Sequence, residues 1–281
     1  MAYHRPATLN EALALLAQGP LTVAAGCTDL FPATDRRALS GPVLDITGIA
    51  ALRGVSVGAD GVTMGATTSW SDIIRADLPP AFDMLKQAAR EVGSVQIQNA
   101  GTVAGNLCNA SPAADGVPCL MALDASVDLG SVRGTRRVPL AAFLTGPRQT
   151  VRAADEIMTS IHIPAAATAG HSRFVKLGAR KYLVISIAMV AARIATTAGR
   201  VSDAAVAVGA CSAVARRLPG LEQALIGAPL SDLAACVTPD LVAAALAPID
   251  DIRADAAYRG HAATELVRRA LADLQPMESA A

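Results

Sequence analysis

The chain has 281 residues, 52% of them apolar and 17% charged, with 24 basic side chains against 24 acidic ones. Such a composition suits a well-buried globular protein of two or three domains and excludes a disordered chain. The even charge balance gives no electrostatic reason to bind nucleic acid or an anionic membrane.

The first ten residues are polar and include His4, Arg5 and Pro6, which does not read as a signal peptide. The longest apolar run, residues 182–192, is too short to span a membrane. A soluble, cytoplasmic protein is expected. In chain order, Thr8 and Glu11 form a capping box for a helix that carries Leu9, Leu13 and Leu16 on one face and ends at Gly19. A short strand at 21–25 runs into the small-residue loop AAGCTDL, and a second strand is expected at 43–46. Strands at 55–57 and 62–64 flank Asp60-Gly61, a hairpin signal. Ser69 and Ser71 can cap a helix through Arg75, and Phe82, Leu85, Ala89 and Val92 recur with helical spacing.

Residues 97–118, IQNAGTVAGNLCNASPAADGVP, hold Gly101, Gly105 and Gly116 among small polar side chains. Glycine lets a backbone turn tightly and present its own N–H groups, and such runs bind anions, phosphates above all. Thr102 and Asn106 add side-chain donors, and Asp115 can accept from a ribose hydroxyl. Neither the P-loop nor the G-x-G-x-x-G spacing is present, and a stretch of this composition taken alone is most often just a loop. A helix at 117–123 and strands at 126–129, 133–138 and 157–163 follow, ended by Pro164. The Ala-rich segment 165–170 marks a boundary between a unit at 1–164, with lobes of about 1–53 and 54–164, and a unit at 171–281.

In the second unit, strands are expected at 172–177, 187–194 and 200–208, the last two joined as a hairpin through Thr197-Ala198-Gly199. Helices are expected at 221–225, 239–247 and 258–274. Strands followed by helices indicate α+β, with helices on one face of an antiparallel three-stranded sheet. Five cysteines (27, 108, 119, 211, 236) and four histidines show neither C-x-x-C nor paired ligand spacing, so no metal is expected. Cys108 and Cys119 read as packing residues.

The order of YHRPATLNEALALL, AAGCTDL, NAGTVAGNLCNASPAADGVPCLMALDA, DEIMTSIHIP and YRGHAATELVRRAL resembles the FAD-binding medium subunits of molybdenum hydroxylases, the carbon monoxide and xanthine dehydrogenase group. The resemblance implies a two-lobed FAD domain, with both small-residue loops closing on the FAD diphosphate. That carries binding to Ala25, Gly26, Cys27, Thr28 and Asp29, and to Gly101, Thr102, Val103, Ala104, Gly105 and Asn106. Asn109, Ser111 and Asp115 match positions near the diphosphate, ribose and adenine, while Ile157 and Lys176 match the flavin end. It implies partners as well: a small iron–sulfur subunit with two 2Fe–2S clusters and a large molybdenum-cofactor subunit, usually in a dimer of heterotrimers. No catalytic acid or base is expected in an electron-transfer subunit of this kind. Cys27 and Ala104 replace glycines of the family pattern, and FAD fits if both take negative φ. Gln149 stands where relatives carry a lysine near the flavin. A self-sufficient flavin oxidase or reductase of similar fold, or a scaffold that has lost its flavin, are the alternatives.

Overall fold

The computed structural model describes residues 2–35 and 39–274. The strand β1 (Tyr3–His4) precedes helix α1 (Leu9–Ala17). The Thr8 hydroxyl accepts from the Glu11 N–H at 3.3 Å, and the Glu11 carboxylate accepts from the Thr8 N–H at 3.2 Å, the reciprocal cap that the sequence indicates. Ala12, Leu13 and Leu16 point inward and share a small core with Leu44, Ile46, Ile49, Leu52 and Ile157. Strands β2 (Thr22–Ala24) and β3 (Val43–Asp45) join β1 in a parallel sheet ordered β1-β3-β2.

Strands β4 (Val55–Gly58) and β5 (Gly61–Gly65) form the expected hairpin, with Gly61 at φ 123°. Helix α2 (Trp70–Arg75) is capped by Ser69 in a reciprocal pair with Asp72, while the Ser71 hydroxyl goes instead to Asn99 at 2.5 Å. Helix α3 (Asp83–Glu91) follows. The segment read as a loop is largely helical: α4 (Val95–Ala100), α5 (Val103–Asn109) and α6 (Gly116–Ala122). Ser94 and Thr102 each accept an N–H three residues on, so residues that favour loops act here as N-caps. Strands β6 (Ser126–Ser131) and β7 (Gly134–Pro139), helix α7 (Leu140–Phe143), the short ribbon β8 (Leu144–Gly146) and β9 (Gln149–Thr150), and strand β10 (Ile157–Pro164) complete the first half. An antiparallel sheet runs β4-β5-β10-β6-β7. Residues 165–170 are no free linker, because Ala165–Thr168 forms a 3-10 turn with Ala167 buried.

In the second half, β11 (His171–Leu177), β12 (Ala188–Thr197), β13 (Arg200–Gly209) and β14 (Arg216–Arg217) form one antiparallel sheet in sequence order. The short β14 adds a fourth strand to the expected three. Ala198 and Gly199 both take positive φ, 51° and 75°, as a tight two-residue hairpin requires. Helices α8 (Pro219–Leu225), α9 (Pro239–Ala243) and α10 (Ala256–Ala272) follow. Helices cover one face of this sheet, as expected, and the other face packs on the first half. Ala188, Val190, Ala192, Val206 and Val208 pack with residues of α8 and α10, whereas Met189, Ala191, Ala205 and Ala207 pack into the main core of the first half. Burial on both faces explains why the sequence of β12 reads as a nearly continuous apolar run.

Polar groups fasten the halves. The Ser172 hydroxyl accepts from the Met84 N–H at 3.0 Å and donates to the Pro80 carbonyl at 3.1 Å. Gln87 accepts from the Phe174 N–H at 2.8 Å. Arg193, 1% exposed, donates to the carbonyls of Ala122 and Ala169 and pairs with Asp203 at 2.7 Å.

Candidate cofactor-binding cleft

A cleft of about 580 Å³ opens between the loop after β2, the α4–α5 corner and the start of β10. Of the residues singled out in the sequence, Ala25, Gly26, Cys27, Thr28, Asp29, Gly101, Thr102, Ala104, Gly105, Asn106, Asn109 and Ile157 line it. The two small-residue loops, some 75 positions apart, meet at its floor. A Cβ on Gly26 would overlap the carbonyl oxygen of Ala100 and press on the Cα of Gly101, so only glycine fits. A Cβ on Gly101 would lie 3.2 Å from the Thr28 hydroxyl and 3.4 Å from the Trp70 ring.

The amides are less open than the sequence indicates. The Gly105 N–H donates to the Thr102 hydroxyl at 3.0 Å, Val103 to the Thr68 carbonyl at 3.0 Å, and Asn106 to the Thr102 carbonyl at 3.1 Å. Ala104, the second residue of α5, keeps its N–H for a ligand. The expectation for Cys27 is also corrected: its φ is 57°, the left-handed conformation that glycine takes freely. Its thiol donates to the Ala25 carbonyl at 3.4 Å, and desolvation, helped by the Asp45 charge, pushes its pKa up. Ala104 has helical backbone, so there the replacement of glycine is free of strain.

Four of the expected residues lie elsewhere. Val103 is fully buried in the main core, where its side chain packs and cannot touch a ligand. Ser111 turns its hydroxyl to the Ala113 N–H at 3.3 Å. Asp115 and Lys176 form an ion pair at 2.6 Å, each side chain 8% exposed, and Ser186 donates to the other carboxylate oxygen at 2.6 Å. Burial raises the Asp115 pKa, and Lys176 acts against that rise. The two residues therefore cannot mark opposite ends of one cofactor. Lys176 lines a second, basic cleft with Arg90, Arg173, Arg180, Lys181 and Arg269, whereas Ile157 lines the first. His171 is exposed. Cys119 is buried, as a packing residue should be, but Cys108 lines the cleft.

Sequence reasoning did not find Trp70, whose ring forms part of the floor, or Arg152 and Glu156 on the approach to β10. None of the three lies in a recognisable loop motif; only the fold brings them to the cleft. The residues present fit a nucleotide cofactor. The cradle is shaped by absent Cβ atoms, and Asn106 Oδ1 is buried without a partner among the described residues. Among the described residues no group of three or more His, Cys, Asp or Glu could hold a metal, and no helix is long and apolar enough to cross a membrane.

Residues 1–166 match the family described as the FAD binding domain in molybdopterin dehydrogenase, and residues 173–274 match the CO dehydrogenase flavoprotein C-terminal domain. The chain belongs to the FAD-binding medium subunits of molybdenum hydroxylases. The nicotine 6-hydroxylase medium subunit of Paenarthrobacter nicotinovorans is 30% identical, with 96% of each chain covered. The carbon monoxide dehydrogenase medium chain of Hydrogenophaga pseudoflava is also 30% identical, over 96% of this chain and 95% of that one. A solved structure of reconstituted CO dehydrogenase from Oligotropha carboxidovorans superimposes with a TM-score of 0.90 at 26% identity, covering 98% of this chain and 97% of that one. This medium subunit is thus an FAD flavoprotein and one component of a multi-subunit oxidoreductase. FAD is its cofactor.

Proposed function

We propose that the cleft between the Gly26 and Gly101 loops holds FAD, and that the subunit passes electrons from the 2Fe–2S clusters of a small partner subunit to an external acceptor. The observation that carries the site is the contact of Gly26 with Ala100 and Gly101, which builds one floor from two distant small-residue loops. Bound FAD supplies the conversion between one-electron and two-electron transfer. The chain's own part is to bind and orient. The cofactor residues are Ala25 to Asp29, Gly101, Thr102, Ala104 to Asn106, Asn109 and Ile157, with the Ala104 N–H and the Asn106 amide as polar contacts. Asp115 and Lys176 act together as one buried pair, with Lys176 at the edge of the second cleft.

The same reading gives the assembly a large molybdenum-cofactor subunit, where the organic substrate is oxidised, and the form of a dimer of heterotrimers in the cytoplasm. It divides the chain into an FAD unit at 1–164, with lobes of about 1–53 and 54–164, and a unit from 171 on. The test is co-purification of the tagged subunit from its native host with iron and molybdenum analysis, followed by reduction of the isolated subunit. The isolated FAD-loaded subunit should turn over no hydroxylation substrate yet relay electrons from a chemical reductant to an artificial acceptor. Substrate-dependent flavin reduction by the metal-free subunit alone would refute the relay and favour a self-sufficient oxidase.

A further inference from the structure

The charges that line the cleft do not balance those of its ligand. FAD carries two negative charges on its diphosphate, and the cleft already holds the carboxylates of Asp29 and Glu156. Glu156 is answered from behind: Arg136 grips it with two bonds of 2.7 and 2.9 Å, and the Ala153 N–H adds a third at 2.8 Å. These bonds, that of Arg136 foremost, hold its pKa low, so it stays charged. Arg152 is the one cation among the described residues that line the cleft. It is partly buried, and no carboxylate pairs with it among the described residues. Its Nη1 donates only to backbone carbonyls, to Glu156 at 2.7 Å and Ala153 at 3.2 Å. Those two bonds anchor the guanidinium and, among the described residues, leave Nε and Nη2 without an acceptor. Its charge is felt at Cys108 of α5, which also lines the cleft: desolvation pushes the thiol up to about 11, and Arg152 offsets part of that rise.

A partly buried guanidinium without a counter-ion is costly, and an anion that enters its cleft relieves the cost. We propose that Arg152 is the counter-charge for the FAD diphosphate and sets the affinity of this subunit for its cofactor. The inference rests on the reading that this cleft holds FAD. Arg152 is a binding residue here, with no part in setting the flavin's redox potential. The α5 amides cannot do this work alone, since most of them are already bonded within the chain.

The experiment uses the full chain stripped of FAD and titrated with FAD, ADP and riboflavin at low and high salt. Wild type that binds none of the three refutes the cleft reading itself, which separates that failure from failure of the proposal. With Arg152→Gln, which keeps a donor for the Glu156 carbonyl, FAD and ADP should each bind about tenfold to a hundredfold more weakly, the range of a lost charged hydrogen bond. The weakening of affinity by salt should flatten, riboflavin binding should not change, and the midpoint potential of bound FAD should stay in place. Arg152→Lys should retain the salt dependence. Should the glutamine variant not fold, phenylglyoxal labelling of wild type, mapped by mass spectrometry, decides: ADP and pyrophosphate should protect Arg152, and riboflavin should not. Unchanged FAD affinity and salt dependence in a folded Arg152→Gln subunit would overturn the proposal. So would a shifted flavin potential with affinity intact, or labelling of Arg152 indifferent to ADP.

Discussion

The cofactor cleft and the C-terminal sheet are built by opposite means. The cleft is made of what is missing: Gly26, Gly101 and Gly105 allow two backbones and a helix start to crowd together, and few side chains fill the gap. The sheet is made of what is present, with both faces of β12 and β13 packed and long polar side chains threaded through the joints. Arg193 reaches out of β12 to the end of α6, Lys176 reaches from β11 to Asp115, and Arg259 is bonded to the carbonyls of Ile187 and Ala210 and to Asp251. The comparison teaches where each half is vulnerable. The cleft fails when atoms are added, and the sheet fails when they are removed.

The sharpest break should come at Gly26. Gly26→Val puts a branched side chain into the Ala100 carbonyl, backbone that cannot yield, and should abolish FAD retention at a cost of about 3 kcal/mol or more. Gly19→Ala is the control, since nothing lies within 4 Å of its Cβ position and it should be close to neutral. Flavin absorbance and thermal denaturation read both.

Removal of one charge from the buried pair should cost nearly as much. Lys176→Met leaves the Asp115 carboxylate buried with Ser186 as its remaining side-chain donor, a loss of about 3 kcal/mol near neutral pH. Its sign with pH is fixed. Burial already raises the folded-state pKa of Asp115, and without Lys176 it rises further. A raised pKa favours the folded state at low pH and loses that advantage as pH climbs through it. The deficit of the variant should therefore shrink as pH falls, and chemical denaturation from pH 7 down to 5 would show it; a deficit constant with pH would place the loss in packing instead.

Cys27 is an exception inside the cleft, a side chain where the backbone asks for none. Cys27→Gly relieves the left-handed strain and adds unfolded-state entropy, for a net gain of about 0.5–1 kcal/mol. FAD affinity should hold or tighten; a loss of affinity would mean that the thiol itself touches the cofactor.

A similarly small effect belongs to Asp251. The Arg253 N–H first, then Arg259, hold its pKa down at about 2. A depressed carboxylate contributes stability above its unfolded pKa and loses it as pH falls towards the folded value. Asp251→Asn should cost about 1 kcal/mol at neutral pH, a cost that shrinks as pH falls below about 3.8 and is nearly gone only below about pH 2. Equal costs at both would assign the effect to shape.

The sequence by itself determined the elements and the family. Local rules suffice for the Thr8–Glu11 cap, the Asp60-Gly61 hairpin and the Ala198-Gly199 turn, because each is settled within a few residues. FAD was indicated by the resemblance of five motifs, in order, to a known family, since the small-residue loops taken alone match no phosphate-binding spacing. Only the tertiary structure decided which of these residues face the ligand. Val103 sits in a glycine-rich stretch yet points into the core, and Asp115 lies near that stretch in sequence yet spends its carboxylate on Lys176, 61 residues on. Arg152 belongs to no motif and still enters the cleft, because Glu156 and Ala153 hold it there. Spacing along a chain limits which backbones can meet. The direction of a side chain, and whether its charge is already matched, depends on neighbours that come from anywhere in the sequence.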